Sequence, residues 1–457
     1  MPTSSKKKAA AQTFRAQQKS PHIRSSGTTP SAPRGMHDIL PPDQKYWEYV
    51  LEIAMQVMRG WDFQRLDTPM IEEAGLFIRS VGAESDIVTK ELFELKSRGG
   101  SPAYVLRAEG TAPIVRAFIE HGLRSWPKPI KLCYAGPFFR YDRPQAGRYR
   151  QFHQFGMEVF GSAAPVTDAQ LMYVQHVLLR QLGLEEYVFL LNTLGDQADR
   201  TAYIRALKEH YRRHVRKLCR DCKARLKTNP LRVLDCKEEK CQQVAYTAPR
   251  LLDTVSDEAQ AHFTQVRTLL DELKVPYEIA PGLVRGLDYY VRTVWEVVPR
   301  RPGDPPTGSQ TSLGAGGRYD HLVKALGGKD VPAAGGAFGI ERLIDAIRRE
   351  GIDLQLTDTP SVFVAQLGAQ AKVGALRVMR LLQEAQIRFA ESIDRDGIQP
   401  QLKLAERLNV AWVVVVGQKE VIDGTVILRN AESGMQEVVR QEDLVTELRR
   451  RLNVPQG

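Results

Sequence analysis

Along the chain, apolar positions first settle into a helical rhythm beyond residue 43. Trp47, Val50, Leu51, Ala54, Met55 and Met58 recur at three- and four-residue spacing, which predicts a helix capped by Asp43 and stopped by Gly60. Folded sequence begins at Pro33, and Pro41-Pro42 closes an extended entry to that helix. From Lys131 the period changes to two. Residues 131–142 and 151–161 are rich in aromatic and apolar side chains, and the polar stretch 143–150 joins them. That pattern predicts two antiparallel strands with a long basic loop. Residues 277–280, 285–297 and 311–316 read as a second set of strands, with the turn-rich 301–307 (RPGDPPT) between two of them. Beyond residue 361 a β-α-β-α-β alternation takes over, with strands at 361–367, 388–392 and 412–417 and helices at 372–385 and 399–408. It predicts a separate α/β domain of about 100 residues, joined through a linker at 351–360.

Composition narrows the class. A chain of 457 residues suggests about three domains. Its 43 % hydrophobic and 26 % charged content is that of a globular protein. Five cysteines cannot supply a disulfide scaffold and suit a reducing compartment. No apolar run approaches the length of a membrane span, and no apolar signal region opens the sequence, so a soluble cytoplasmic protein is expected. The net charge of +10 favours polyanionic partners without naming one, and its distribution says more. Residues 1–32 carry six basic and no acidic side chains with almost nothing to bury, which predicts a disordered basic extension. A nucleic-acid-touching arm and an organelle-targeting peptide are its functional alternatives. Residues 197–253 hold fifteen basic and seven acidic side chains, whereas 361–457 is nearly neutral at +1.

Candidate chemistry concentrates in the hairpin. Strand alternation puts His153, Phe155, Met157 and Val159 on one face and Phe152, Gln154, Gly156, Glu158 and Phe160 on the other. The second face offers an amide and a carboxylate beside a glycine. Arg140, Arg143, Arg148 and Arg150 surround it, and arginine suits multidentate phosphate recognition. A site for an anion plus an amine is expected there; a solvated strand face is the plainer alternative. Tyr289 and Tyr290 follow Arg285-Gly286, and either could be core. Gly314, Gly316 and Gly317 mark a close backbone approach or a tight turn. Residues 335–343 read as a Gly-rich strand entering a helix, with Arg342 near the helix N-terminus, where phosphate is favoured. No Walker-type motif is present, so any nucleotide is held by arginines. Cys219, Cys222, Cys236 and Cys241 have the spacing of a four-cysteine zinc site, with ordinary buried thiols as the alternative. Cys133 reads as core.

Taken in order, these segments resemble the histidyl-tRNA synthetases, a family of class II aminoacyl-tRNA synthetases. The resemblance spans residues 33 to about 455. It rests on 34–38 (RGMHD), 63–71 (FQRLDTPMI, like the first class II motif), 107–111 (RAEGT), 136–158 (GPFFRYDRPQAGRYRQFHQFGME, like the second motif and its loop), 285–290 (RGLDYY), 313–319 (LGAGGRY) and 338–343 (FGIERL, like the third motif). It implies an α/β architecture. An antiparallel class II catalytic domain would occupy 33–196 and 276–350, interrupted by a helical insertion at 197–275 that holds the four cysteines. A C-terminal α/β anticodon-binding domain would follow at 361–457. It implies histidine activation with ATP and Mg²⁺ and transfer of histidine to its tRNA by a homodimer.

By position, Glu109, Thr111 and Gln154 match the residues that hold the amino group of histidine. Glu158 and Tyr290 match those on the imidazole, with Tyr289 in the same pocket. Arg140 matches the arginine on the α-phosphate and Phe152 the adenine-stacking ring. Arg342 matches the arginine on the terminal phosphates and adenine, and Arg285 the one near the α-phosphate and the substrate carboxylate, so Arg140 and Arg285 are the expected catalytic pair. Arg143, Gln145 and Arg148 fall in the loop that meets tRNA. Two other classes compete: a regulatory subunit of histidine biosynthesis that binds histidine without charging tRNA, and an RNA-binding protein on an inactive scaffold. The first would lack the C-terminal α/β domain and erode the catalytic arginines that are present here, and the intact motifs speak against the second.

Overall fold

The computed structural model describes residues 29–96, 103–143, 147–228, 230–234, 236, 238–300, 312–354 and 360–452. Residues 1–28 of the basic extension, Gln145 and the 301–307 turn therefore lie outside the described residues. The chain divides into two compact units, one ending at Asp353 and the other starting at Leu354.

The first helix, α1 (Pro41–Gly60), starts earlier than the apolar rhythm predicts. Leu40 is its N-cap and proline fills the first turn, where a missing N–H costs nothing. Asp43 thus lies inside the helix instead of capping it, and its charge favours the first turn. The helix does end at Gly60, but that glycine does not make the turn. The left-handed residue is Asp62 (φ 59°), and the Phe63 N–H returns to the Met58 carbonyl at 2.9 Å.

The large unit is built on an eight-stranded sheet: β1 (Gln64–Arg65), β2 (Ile130–Phe139), β3 (Gln151–Phe160), β4 (Tyr187–Thr193), β5 (Tyr277–Ile279), β6 (Val291–Pro299), β7 (Gly314–Arg318) and β8 (Ala333–Gly339). The spatial order is β1-β2-β3-β8-β7-β6-β4-β5. Pairing is antiparallel from β2 to β4, and parallel only at the two edges. The expected strand 285–297 is shorter: only Val291–Pro299 is extended, and residues 285–290 bend. That bend is pinned on both sides. Arg200 Nη1 donates to the Asp288 carbonyl at 2.8 Å, and the Asp288 N–H donates to Val81 O at 3.3 Å.

Helix α2 (Thr111–Glu120) packs into the apolar core through Ile114, Val115 and Phe118. Helices α3 (Pro165–Gln181), α4 (Gln197–Arg213), α5 (Arg220–Thr228), α6 (Glu239–Tyr246) and α7 (Asp257–Glu272) follow, and α8 (Ile340–Glu350) leaves β8 directly. Arg318 is fully buried. It binds Asp168 through Nε at 3.2 Å and Asp320 through Nη1 at 2.9 Å, and His262 Nε2 meets Asp168 at 2.8 Å. Burial alone would raise the Asp168 pKa, but Arg318 and His262 hold it below the usual carboxylate range. The arginine of LGAGGRY is therefore a structural tie between β7 and helices α3 and α7.

The small unit is a five-stranded sheet of β9 (Val362–Gln366), β10 (Phe389–Glu391), β11 (Trp412–Val416), β12 (Thr425–Asn430) and β13 (Gln436–Arg440), ordered β10-β9-β11-β12-β13. Its core lies on both faces: Val362, Val364, Val414 and Val416 pack on one side, and Phe363, Ala365, Val413 and Val415 on the other. Two-sided burial explains why β9 and β11 read as continuous apolar runs. The antiparallel hairpin β12–β13 lies outside the alternation seen in the sequence. Among the described residues, no helix is long and apolar enough to cross a membrane.

Candidate active site

The antiparallel register of β2, β3 and β8 builds a floor. Glu158 sits between Leu132 and Gly335, Gly156 between Tyr134 and Ala337, and Gln154 between Gly136 and Gly339. The β8 partners Gly335, Ala337 and Gly339 leave room above the sheet, while Tyr134 of β2 packs over Gly156. The other face of β3 is occupied. His153 donates its backbone N–H to Glu341 at 2.9 Å and stacks edge-on against Trp47, with centroids 4.7 Å apart. The alternation expected for this strand is what divides a packed face from a reactive one. Two glycines are required by close approach. A Cβ on Gly335 would fall 1.6 Å from Glu158 Oε2, and one on Gly156 would fall 2.3 Å from the Tyr134 ring. Gly316 and Gly317 lie in strand β7, not in a turn; they make room for Trp295 and Tyr290.

At one end of the floor lie two buried carboxylates. Glu109 reaches over the first turn of α2, accepting the N–H groups of Thr111 at 2.8 Å and Ala112 at 2.7 Å. These amides would otherwise be orphaned at a helix start. The Tyr289 hydroxyl donates to the same Glu109 at 3.4 Å. Glu158 accepts from Thr111 Oγ1 at 2.8 Å and from the Tyr319 hydroxyl. Burial pushes its pKa up to about 8, with Tyr319 and Thr111 opposing the rise and Glu109 adding to it. Burial likewise raises Glu109, against the helix amides and Arg140. Tyr289, Tyr290 and Tyr319 close the pocket as a cluster, with centroids of 289 and 290 4.6 Å apart and of 289 and 319 5.7 Å apart.

Guanidinium groups gather at the other end. Arg140 donates Nε to the Ala108 carbonyl at 2.9 Å and sits 5.4 Å from the centroid of the Phe152 ring. Arg342, three residues into α8, donates to the carbonyls of Ser312 and of Gly147, the latter at 3.4 Å. Its pKa is lowered by burial first, then by the neighbouring positive charges of Arg148 and Arg140. Arg148 is tied to Asp142 at 2.9 Å. Arg285 pairs with buried Glu296 and lies 5.8 Å from the centroid of the Tyr290 ring. Burial disfavours its charge, but Glu296 and the two tyrosines hold its proton more firmly than usual. Its Nε is buried with no acceptor among the described residues.

Of the residues singled out in the sequence, the structure brings Glu109, Thr111, Gln154, Glu158, Arg140, Phe152, Arg285, Tyr289, Tyr290, Arg148 and Arg342 around this one floor. Arg143 is exposed on the loop, and Gln145 is outside the described residues. Two participants escaped the sequence reading. Tyr319 ends a segment whose glycines drew the attention, yet it carries a direct bond to Glu158. Glu296 stands alone as a carboxylate in the run VWEVV, and a lone charge in an apolar strand signals a buried partner.

A family model described as Histidyl-tRNA synthetase matches residues 35–343, and one described as Anticodon binding domain matches 361–451. The chain belongs to the histidyl-tRNA synthetase family. A Histidine--tRNA ligase of Dehalococcoides mccartyi is 43 % identical over 421 residues, covering 92 % of this chain and 99 % of its own. A relative of the same name from Halothermothrix orenii is 39 % identical with the same coverage. The apo histidyl-tRNA synthetase of S. aureus superposes with a TM-score of 0.76 at 33 % identity, covering 92 % of this chain and all of its own.

Proposed function

We infer that the chain is a histidine–tRNA ligase, which joins histidine to AMP at the expense of ATP and then passes it to its tRNA. The observation that carries this reading is the polarity of the single floor: buried carboxylates and tyrosines at one end, and Arg140, Arg285 and Arg342 at the other.

The first step brings two anions together. The histidine carboxylate, ionised at neutral pH, needs no base. One of its oxygens attacks the α-phosphorus, the bridging bond to the β-phosphate breaks, and pyrophosphate leaves. The requirement is therefore position and fixed positive charge. Arg140 and Arg285 supply charge at the α-phosphate, and the Arg285 Nε, without an acceptor among the described residues, is a donor kept for an incoming oxygen. Arg342 takes the terminal phosphates and adenine, and Phe152 supplies the ring on which adenine stacks. Mg²⁺ fits this end as an ion carried by nucleotide phosphates. Among the described residues no cage of three carboxylates exists there, and Glu296 is the single buried carboxylate beside Arg285. When bound, Mg²⁺ neutralises charge on the pyrophosphate.

Histidine lies at the other end, its amino group toward Glu109, Thr111 and Gln154 and its imidazole between Glu158 and Tyr290. A pocket of buried hydrogen-bonding groups rejects apolar amino acids, which would leave those groups unpaired. In the second step a ribose hydroxyl at the tRNA end attacks the adenylate carbonyl and AMP departs. The 143–148 loop meets the tRNA, and the nearly neutral unit 361–457 reads unstacked anticodon bases by local contacts rather than by bulk charge. We assign the protein to the cytoplasm and to a homodimer. Met70 and Ile71, half exposed in the segment like the first class II motif, support the subunit contact.

Aminoacylation with histidine, ATP and tRNA tests the reading. Histidine should be charged and other amino acids should not. Failure to charge any tRNA with histidine would overturn it.

A further inference from the structure

The insertion carries a second constellation that histidine activation does not use. Cys219 and Cys222 flank the start of α5, Cys236 follows the turn Pro230–Val233, and Cys241 lies in α6. Their four sulfurs all lie within 4.8 Å of one another, with Cys219 Sγ and Cys236 Sγ 3.9 Å apart. A tetrahedral ion with Zn–S bonds of about 2.3 Å sets its sulfurs roughly 3.8 Å apart. All four thiols are free, and a disulfide would need about 2.05 Å. The cage is also too small to admit the multi-atom core of an iron–sulfur cluster between its sulfurs.

A further feature points to a charged occupant. Backbone N–H groups already aim at the sulfurs, from Cys219 to Cys241 Sγ at 3.2 Å and from Cys222 to Cys219 Sγ at 3.4 Å. Such outer partners are what metal-bound thiolates use.

We propose that Cys219, Cys222, Cys236 and Cys241 bind one Zn²⁺, which knots the insertion into the clamp that holds the 285–290 bend. Binding releases the four thiol protons and leaves a centre of net charge −2, set in a segment with a basic surplus of eight. The elements it ties are too short to persist alone: α5 has nine residues and α6 eight. Between the second and third ligands, Arg232 leaves the knot. Its guanidinium binds Asp86 and donates Nη2 to the Gly286 carbonyl at 3.0 Å, while Arg225 donates to Arg232 O at 3.4 Å. Gly286 adjoins Arg285, so the metal site braces the bend that presents Arg285, Tyr289 and Tyr290.

The test uses the full chain purified under reducing conditions. Elemental analysis should find one zinc per chain, released when a mercurial reagent titrates the thiols. Cobalt substitution should give the visible bands of a tetrahedral tetrathiolate. Cys219→Ser, at the most exposed ligand, should lose the stoichiometric zinc, and retained circular dichroism would show that the fold survives. Absence of zinc after anaerobic reconstitution, iron in its place, or an intact Cys219→Ser chain that keeps full zinc would overturn the site. The bracing role rests on the ligase reading, whereas the metal content does not. Arg232→Ala should keep its zinc and raise the KM for histidine about three- to tenfold. An unchanged KM with zinc retained would overturn the bracing.

Discussion

The two ends of the floor solve opposite problems. At the carboxylate end the buried groups are already satisfied: Glu109 by two helix amides, Glu158 by Thr111 and Tyr319. At the guanidinium end satisfaction is partial. Arg140 and Arg342 lean on backbone carbonyls, which bring no negative charge, and Arg285, though paired with Glu296, has no acceptor for its Nε among the described residues. A satisfied network is rigid and selects by shape and hydrogen-bond pattern. Unbalanced positive charge is costly in the empty protein and is repaid when phosphate arrives. Under the proposed function, selection and catalysis thus fall toward opposite ends of one sheet.

The largest expected effect attacks the charged end. Arg285→Ala should lower histidine-dependent ATP–pyrophosphate exchange by about 10³-fold, measured well below the melting temperature because it also leaves Glu296 buried and unpaired. Unchanged exchange would remove Arg285 from the chemistry. Next, Glu158→Gln should raise the KM for histidine about 10- to 100-fold, with the KM for ATP hardly moved. If both constants rise together, the ends are not separate. Phe152→Ala comes third, with an expected loss of about tenfold in apparent ATP affinity from missing base stacking; here histidine binding is the constant that should hold.

The smallest effect is a pH dependence. Glu158 has a folded pKa near 8 against an ordinary 4.5, so the folded chain holds a proton that the unfolded chain gives up. Its contribution to stability is complete below about 4.5 and fades as pH rises toward 8. Thermal unfolding of the ligand-free protein should therefore show Tm falling across that window, and Glu158→Gln should flatten the fall by a few degrees. An identical slope in both proteins would place the carboxyl in a wetter setting than its burial implies.

Much of this was legible in the chain. Alternation along residues 152–160 separated a core face from a site face, and β9 and β11 announced themselves as two-sided apolar runs. Short-range patterns are written locally, and these elements obey them. Other features are set by distant partners. The 285–290 bend depends on Arg200 and Val81, so RGLDYY read as the opening of the strand that follows it. The end of α1 at Gly60 was legible, but not that Asp62, rather than glycine, adopts the left-handed turn. Tyr319 and Glu296 acquire roles only through pairing across strands. The cysteine spacing suggested a cluster, but Arg232 reaching Gly286 is a tertiary fact that no spacing encodes.

The separation of the two ends is tested most directly by calorimetric titration of histidine, without ATP, into the parent protein, Glu158→Gln and Arg342→Ala. The account predicts that Glu158→Gln weakens histidine binding by at least about tenfold and that Arg342→Ala leaves the dissociation constant at the parent value. Equal weakening in both variants, or none in Glu158→Gln, would contradict it.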